Sequence, residues 1–390
     1  VGSEMCIRDS PMAESPPDEQ HDHRLRASYK PSQLPSRPAG SHPGRREVVL
    51  GATAAVGALL VRPPPAFITA AHAAVPMVLQ TEEVAPGVFV ARGVHAVMSG
   101  DNGGHIANLA FVVGRERVAV IDTGGSFKVG MALLEAIRTR TALPIGVVIN
   151  THMHPDHVLG NAAFEGSPPA GSKSAGSGPT GSGPTGPGAT GSGPTGPAVE
   201  YIAHAKMARG LSARADRYLE HNGAAIGAGF EGTRVVLPTR TVDTAAEVDL
   251  GGRTLLLQAH ATAHTDNDLT VRDLQTNTLF AGDLLFSGHI PTIDGSLRGW
   301  LKVLDQLVKQ PVARVVPGHG PATMTWPDAV EPQRRYFEML TSNIRALIKQ
   351  GRSLEDALYV AARDNLVGWE LSQEYHKRNV AAAFAELEWE

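Results

Sequence analysis

Of the chain's 390 residues only one is a cysteine, Cys6, and it sits in an N-terminal stretch that reads as a tail. The folded part is therefore expected to have no internal disulfide and no thiolate for a metal, so any metal site must use histidine and carboxylate. A surplus of positive charge is missing as well: the formal net charge is -4, with no basic block, which argues against a nucleic-acid partner. Long apolar runs are lacking too. The most apolar stretch, up to Val61, falls short of the ~20 residues a bilayer-spanning helix needs, so no stable membrane insertion of the mature protein is expected. The hydrophobic content of 42% is ordinary for a soluble globular protein.

What is present is concentrated in one place. The run Ile145-Gly146-Val147-Val148-Ile149-Asn150 is short, β-branched and uncharged, and it reads as a buried strand. Directly after it comes Thr151-His152-Met153-His154-Pro155-Asp156-His157. Residues two apart on an extended segment face the same side, so His152 and His154 suit one ion, while the turning chain offers Asp156 and His157 to another. Imidazole and carboxylate oxygen suit zinc and similar divalent ions. The plainer alternative is a polar turn in which Asp156 caps a helix beginning near His157.

His152, His154, Asp156 and His157 reproduce the His-x-His-x-Asp-His signature of the metallo-β-lactamase fold superfamily, and the chain resembles that family of metal-dependent hydrolases. The resemblance implies an α/β fold, an αββα four-layer sandwich. The strand Val118–Ile121 leading into Asp122-Thr123-Gly124 resembles the family's first motif, whose aspartate supports the ligand loop from behind. Lys128 to Arg140 carries Met131, Leu133, Leu134 and Ile137 at helical spacing, which supplies the β-α-β step before the cluster strand. In the second half, Ala263-His264-Thr265 followed by Asp268-Leu269 matches the family pattern at His264 in preference to His260. Thr278 to Asp283 reads as a strand ending in Gly-Asp, where Asp283 fits the bridging carboxylate, and Val315 to His319 is a strand end at which His319 completes the set.

The rest of the chain is organised around that core. Residues 1–44 form an expected disordered tail, rich in Pro, Ser, Asp, His and Arg. Its first ten residues resemble translated cloning sequence, with Met12 as a candidate initiator. Residues 45–74, from Arg45-Arg46 to Ala73-Ala74, resemble a twin-arginine export signal cleaved near Ala73 or Ala74, with an uncleaved anchor or a basic arm as alternatives. The folded domain is expected over 75–390, opening with strands at 78–80 and 88–90 around Pro86-Gly87 and a hairpin from Ile106 to Ile121. A helix is expected from His157 to about Phe164. A Gly/Ser/Pro/Thr tract over 166–197 repeats Gly-Ser-Gly-Pro-Thr without a three-residue glycine period, which excludes collagen and predicts a flexible insert. Further strands are expected at 199–202, 234–237, 247–250 and 254–258, and helices over 205–219 and from 328 onward.

By the resemblance, His152, His154 and His264 hold one Zn2+ and Asp156, His157 and His319 a second, with Asp283 between them; iron or manganese would fit the same ligands. Asp156 and Asp283 are the carboxylates at the reacting centre, although activation of water falls to the metals. The expected activity is hydrolysis of an ester, thioester or amide-type bond in a small molecule. Asp283, where many zinc β-lactamases carry cysteine or serine, makes β-lactam cleavage less favoured. The C-terminal third, including Asp294 to Trp300 and Arg378 to Glu390, looks like the exported zinc metallohydrolases of quinoprotein relay and sulfur-oxidation systems, which implies the periplasm. A diiron redox enzyme and a non-enzymatic periplasmic metal-binding accessory protein are the alternatives. His204, His289, Trp300 and the loop Asp101 to His105 are candidates for the cleft lining, each with a plain structural alternative.

Overall fold

The computed structural model of the protein describes residues 77–166, 198–361 and 366–390. The expected tail and export signal, and the insert apart from Gly166, lie outside these residues.

Two sheets form the centre. The first has seven strands in sequence order: β1 (Glu82–Ala85), β2 (Val88–Ala91), β3 (Leu109–Val113), β4 (Val118–Ile121), β5 (Ile145–Ile149), β6 (Glu200–His204) and β7 (Arg240–Val242). Pairing is antiparallel from β1 to β4 and parallel from β4 to β7. The second has five: β8 (Ala245–Asp249), β9 (Thr254–Ala259), β10 (Leu269–Asp273), β11 (Thr278–Phe286) and β12 (Arg314–His319), with β11 and β12 parallel.

Period-two alternation decides what each face meets. On β2, Val88 and Val90 join Val112, Ile121, Val147, Leu255, Leu257 and Val271 between the sheets. Phe89 and Ala91 point the other way, where Phe111, Val120 and Val148 pack under Leu133, Leu134 and Ile137 of α1 (Phe127–Arg138). Met131, at helical spacing in the sequence, instead faces solvent. After α1 come α2 (Pro155–Val158) and α3 (Met207–Ile226). On the second sheet's outer face, Leu279, Ala281 and Leu285 pack against Trp300, Leu304 and Leu307 of α4 (Leu297–Leu307) and Tyr336, Phe337, Leu340 and Ile344 of α5 (Glu331–Lys349). Then follow α6 (Leu354–Ala361) and α7 (Ser372–Leu387), the latter contributing Val380, Ala383 and Phe384 to the same cluster. Helix on sheet, sheet on sheet and sheet on helix make the expected αββα sandwich.

The sheets are also tied by one buried charge. Arg253, at the start of β9, holds Asp273 at the end of β10 through two parallel bonds, Nε to Oδ1 at 2.9 Å and Nη2 to Oδ2 at 2.8 Å. Its Nη1 donates to the Val113 carbonyl of β3 at 2.9 Å, crossing from one sheet to the other.

Several expected boundaries shift. The first strand lies at Glu82–Ala85 rather than 78–80, because Pro86-Gly87 is a tight turn whose partners must abut it. The run 234–237 pairs with nothing as a strand: Pro238 interrupts it, Val236 is buried against the first sheet's helix layer, and pairing with β6 begins only at Arg240. The expected helix to Phe164 is one turn, Pro155–Val158, followed by a 3-10 turn at Asn161–Phe164.

Candidate metal centre

β5 lies between β4 and β6 in the parallel part of the sheet, and its last residues are wholly buried. The chain leaves it at Thr151, and Asp122 fixes the exit. Asp122 accepts from the Thr151 amide at 2.8 Å and from Thr151 Oγ1 at 2.7 Å, and its Oδ2 lies 2.8 Å from His157 Nδ1. To do this it adopts φ 56, a left-handed conformation that aspartate tolerates better than most residues. One carboxylate thus sets both the strand end and a ring in the cluster.

The expected residues converge. His152, His154, His264 and Asp283 form one group and Asp156, His157 and His319 a second, the donor atoms within each lying within 4.8 Å of one another. Asp283 stands between the groups. Its Oδ2 is 3.4 Å from His264 Nε2, 3.4 Å from His319 Nε2 and 3.7 Å from His152 Nε2, and its Oδ1 is 3.2 Å from His157 Nε2. Asp156 Oδ2 is 3.3 Å from His319 Nε2. The helix-cap alternative for Asp156 fails, since the cap position of α2 is His154 and Asp156 lies within the first turn, facing the cluster.

Each imidazole is gripped from behind by the nitrogen that faces away from the cluster. His152 Nδ1 meets Thr151 Oγ1 at 3.1 Å, His157 Nδ1 meets Asp122, His264 Nδ1 meets the Thr292 carbonyl at 2.8 Å, and His319 Nδ1 meets the Ile106 carbonyl at 2.9 Å. His154 is turned round: Nε2 meets Asp294 Oδ2 at 3.1 Å, and Nδ1 faces inward, 2.9 Å from His264 Nε2. Donating the outer N–H leaves each inner nitrogen with its lone pair aimed at the centre, the arrangement typical of metal-bound histidine. His152 Nε2, His157 Nε2 and Asp283 Oδ1 are buried and have no hydrogen-bond partner. Unpartnered acceptors crowded in a buried site are costly unless a cation satisfies them, so the residues present fit divalent metal.

The electrostatics differ between the two groups. Burial holds His264 neutral, lowering its pKa to about 3. Burial also opposes a charge on His319, but the Asp283 and Asp156 carboxylates outweigh it and raise that pKa to about 9. A cation bound there competes with a proton, so its uptake releases protons.

Glycines around Asp283 are there for space and backbone shape. Gly282 has φ 52 beside a register shift in the β11–β12 pairing, and a Cβ on Gly318 would lie 1.9 Å from Asp283 Oδ1. β11 does not end at Gly-Asp as expected; it runs on to Phe286, and the irregularity at Gly282 falls just before Asp283.

Other candidates are placed plainly. His260 bonds Thr270 Oγ1 at 2.8 Å and belongs to neither group, and His204 accepts from the Lys206 amide at the end of β6. Trp300 is core, its ring 5.2 Å from that of His264, and His289 lies against His319 with ring centroids 4.8 Å apart. The loop at Asp101 to His105 is a turn ordered by Asn102, whose Oδ1 accepts from the Ser99 and Gly104 amides. The residue that sequence reasoning missed as a site member is Asp294: it opens the Asp294 to Trp300 segment that carries part of the resemblance, but nothing in that segment marks it as the partner of His154.

Because Asp122 orients both the ligand loop and His157, Asp122→Ala should weaken metal binding by roughly 10–100-fold, as loss of such outer partners does elsewhere. Competition against a chromophoric chelator measures it; unchanged affinity would remove Asp122 from the site's support.

A sequence profile described as the metallo-beta-lactamase superfamily matches residues 102–175 and 194–319, just over half the chain and all seven converging residues. Among solved structures, the inverting sec-alkylsulfatase Pisa1 from Pseudomonas sp. aligns at 17% identity and TM-score 0.52, over 78% of this chain and 50% of that one. This chain therefore spans about half of that enzyme. A metallo-beta-lactamase from Pontibacter korlensis aligns at 19% identity and TM-score 0.48, over 67% of this chain and 99% of that one. No protein of curated function matches the sequence.

Proposed function

We propose, from the premise that the chain belongs to the metallo-beta-lactamase superfamily, that it is a hydrolase holding two divalent ions, zinc first among them, which cleaves an ester, thioester or amide-type bond of a small molecule. The observation that carries this reading is the convergence of His152, His154, His264, Asp156, His157 and His319 on Asp283, with every imidazole fixed from behind. Bound there, divalent ions supply Lewis acidity that makes water nucleophilic near neutral pH and polarises the bond to be cleaved.

The chain's own residues supply the rest. His152, His154 and His264 would hold one ion and Asp156, His157 and His319 the other, with the Asp283 carboxylate standing between the two groups. The grip on the outer nitrogens keeps the rings from reorienting, so the site is organised before substrate arrives. Phe286 stacks on His319 with ring centroids 5.0 Å apart, and Trp300 backs His264, so the inner wall is apolar and charges in the site interact strongly. Asp283, a carboxylate, supports general ester or thioester hydrolysis over β-lactam cleavage. The same reading puts the protein in the periplasm, carried there by the signal at 45–74.

Elemental analysis of the purified protein and of His154→Ala is the direct test, run beside a panel of esters, thioesters and lactams. About two zinc ions per chain, a loss in the variant and hydrolysis of an ester or thioester are expected. Iron would turn the reading to redox chemistry, metal without hydrolysis to an accessory role, and unchanged metal in the variant would sink the site.

A further inference from the structure

The ligand groups are not equally enclosed. His264 is fully buried, whereas the His154 side chain is 15% exposed, and exposure climbs outward from it: 24% at Asp294, 41% at Arg214 and 57% at Arg378. The centre therefore meets solvent on the side of His154 and Asp294.

Two arginines stand there, from helices far apart in sequence. Arg214 of α3 has Nη2 4.0 Å from Asp294 Oδ2 and Nη1 3.7 Å from Met153 Sδ. Arg378 of α7 places Nη2 3.4 Å from Asp294 Oδ1. Neither makes the close two-bond grip that Arg253 makes on Asp273, so most of their donors remain available. Asp294 also accepts from His154, so at this rim one carboxylate faces two guanidinium charges. Each arginine has a tyrosine one helical turn away, Tyr218 on α3 and Tyr375 on α7. Burial, with Asp294 and Asp156 nearby, raises the Tyr218 pKa to about 12, and burial and Asp156 raise that of Tyr375, so both phenols remain hydrogen-bond donors.

The geometry points to an anion-binding pair, Arg214 and Arg378, at the mouth of the metal centre: the substrate carries an oxyanion group that docks there and leaves its scissile bond beside His154 and Asp283. Guanidinium is suited to this because its planar fork matches carboxylate, sulfate and phosphate oxygens. Asp294 is then a positioning residue, holding the two arginines toward each other and the His154 ring toward the centre. The substrate class rests on the hydrolase reading, but the anion site itself does not.

The test uses two arms on Arg214→Gln, Arg378→Gln, the double variant and Arg378→Lys, with melting curves to establish folding. In the first, the anionic ester 4-nitrophenyl hemisuccinate is compared with neutral 4-nitrophenyl acetate. The anionic ester should be preferred, through KM, and the preference should fall roughly ten-fold or more in the double variant, as loss of charged hydrogen bonds predicts. Arg378→Lys should retain part of it, and added salt should erode it. In the second arm, calorimetry on the protein as isolated measures succinate, sulfate and phosphate, which ranks the oxyanions without any turnover. Succinate, sulfate or phosphate affinity should drop by a similar factor in the double variant. Equal preference for the two esters, or oxyanion binding unaltered in a folded double variant, overturns the anion site. Binding that depends on the arginines, with neither ester hydrolysed, would instead overturn the hydrolase reading and leave the anion site standing.

Discussion

Asp283→Asn is expected to lose metal and to lower kcat by roughly 10^3-fold, the equivalent of about 4 kcal/mol at the transition state. The substitution conserves shape, so its effect isolates charge and donor chemistry. Asp283 is buried and lies within 3.7 Å of four imidazole nitrogens, drawn from His152, His157, His264 and His319. Asparagine removes the negative charge shared by the two groups and turns an N–H donor toward positions where lone pairs converge. Elemental analysis and initial rates on the same sample measure both effects. Full metal content with a rate within ten-fold of the parent would show that Asp283 does not join the two positions.

The largest stability effect is expected away from the centre, in Asp273→Ala. Arg253 and Asp273 are almost fully enclosed, and removing one partner leaves a guanidinium charge without compensation between the sheets. Breaking such a pair destabilises by roughly 3–5 kcal/mol, readable as a lower urea midpoint. Burial alone would raise the Asp273 pKa, but hydrogen bonds from Arg253 and Thr276 outweigh it and hold the carboxyl below its usual range. A carboxylate depressed in the folded state adds stability above its unfolded pKa of about 3.9, and that stability is lost as pH falls through the folded value. The gap between parent and variant should therefore be full at neutral pH and shrink in acid. A gap that does not change between neutral and acid conditions would point to lost packing instead of the ion pair.

The sequence carried the centre well because its most informative part is contiguous. A buried strand followed at once by His152, His154, Asp156 and His157 needs no tertiary knowledge to be noticed, and the order of His264, Asp283 and His319 after it follows the family pattern. Where the reading slipped, the cause lay in long-range structure. Nothing local indicates that β11 continues past Asp283, since the irregularity at Gly282 depends on pairing with β12. The apolar run at 234–237 has strand composition, yet burial without pairing satisfies it and Pro238 moves the strand onward. Asp294, Arg214 and Arg378 sit 80 or more residues apart in the chain and become neighbours only through the fold, so no spacing could have joined them.

The two halves of the centre come from different sheets. His152, His154, Asp156 and His157 follow β5 of the seven-stranded sheet, while His264, Asp283 and His319 belong to β11, β12 and the β9–β10 connection of the five-stranded one. An ion held by both is a fastener across the seam between the layers. Its binding energy is then also cohesion energy, absent whenever the layers part. Chelation should loosen that seam first, with amide exchange quickening at the open ends of β5 and β12 while the α1 and α5 faces stay protected.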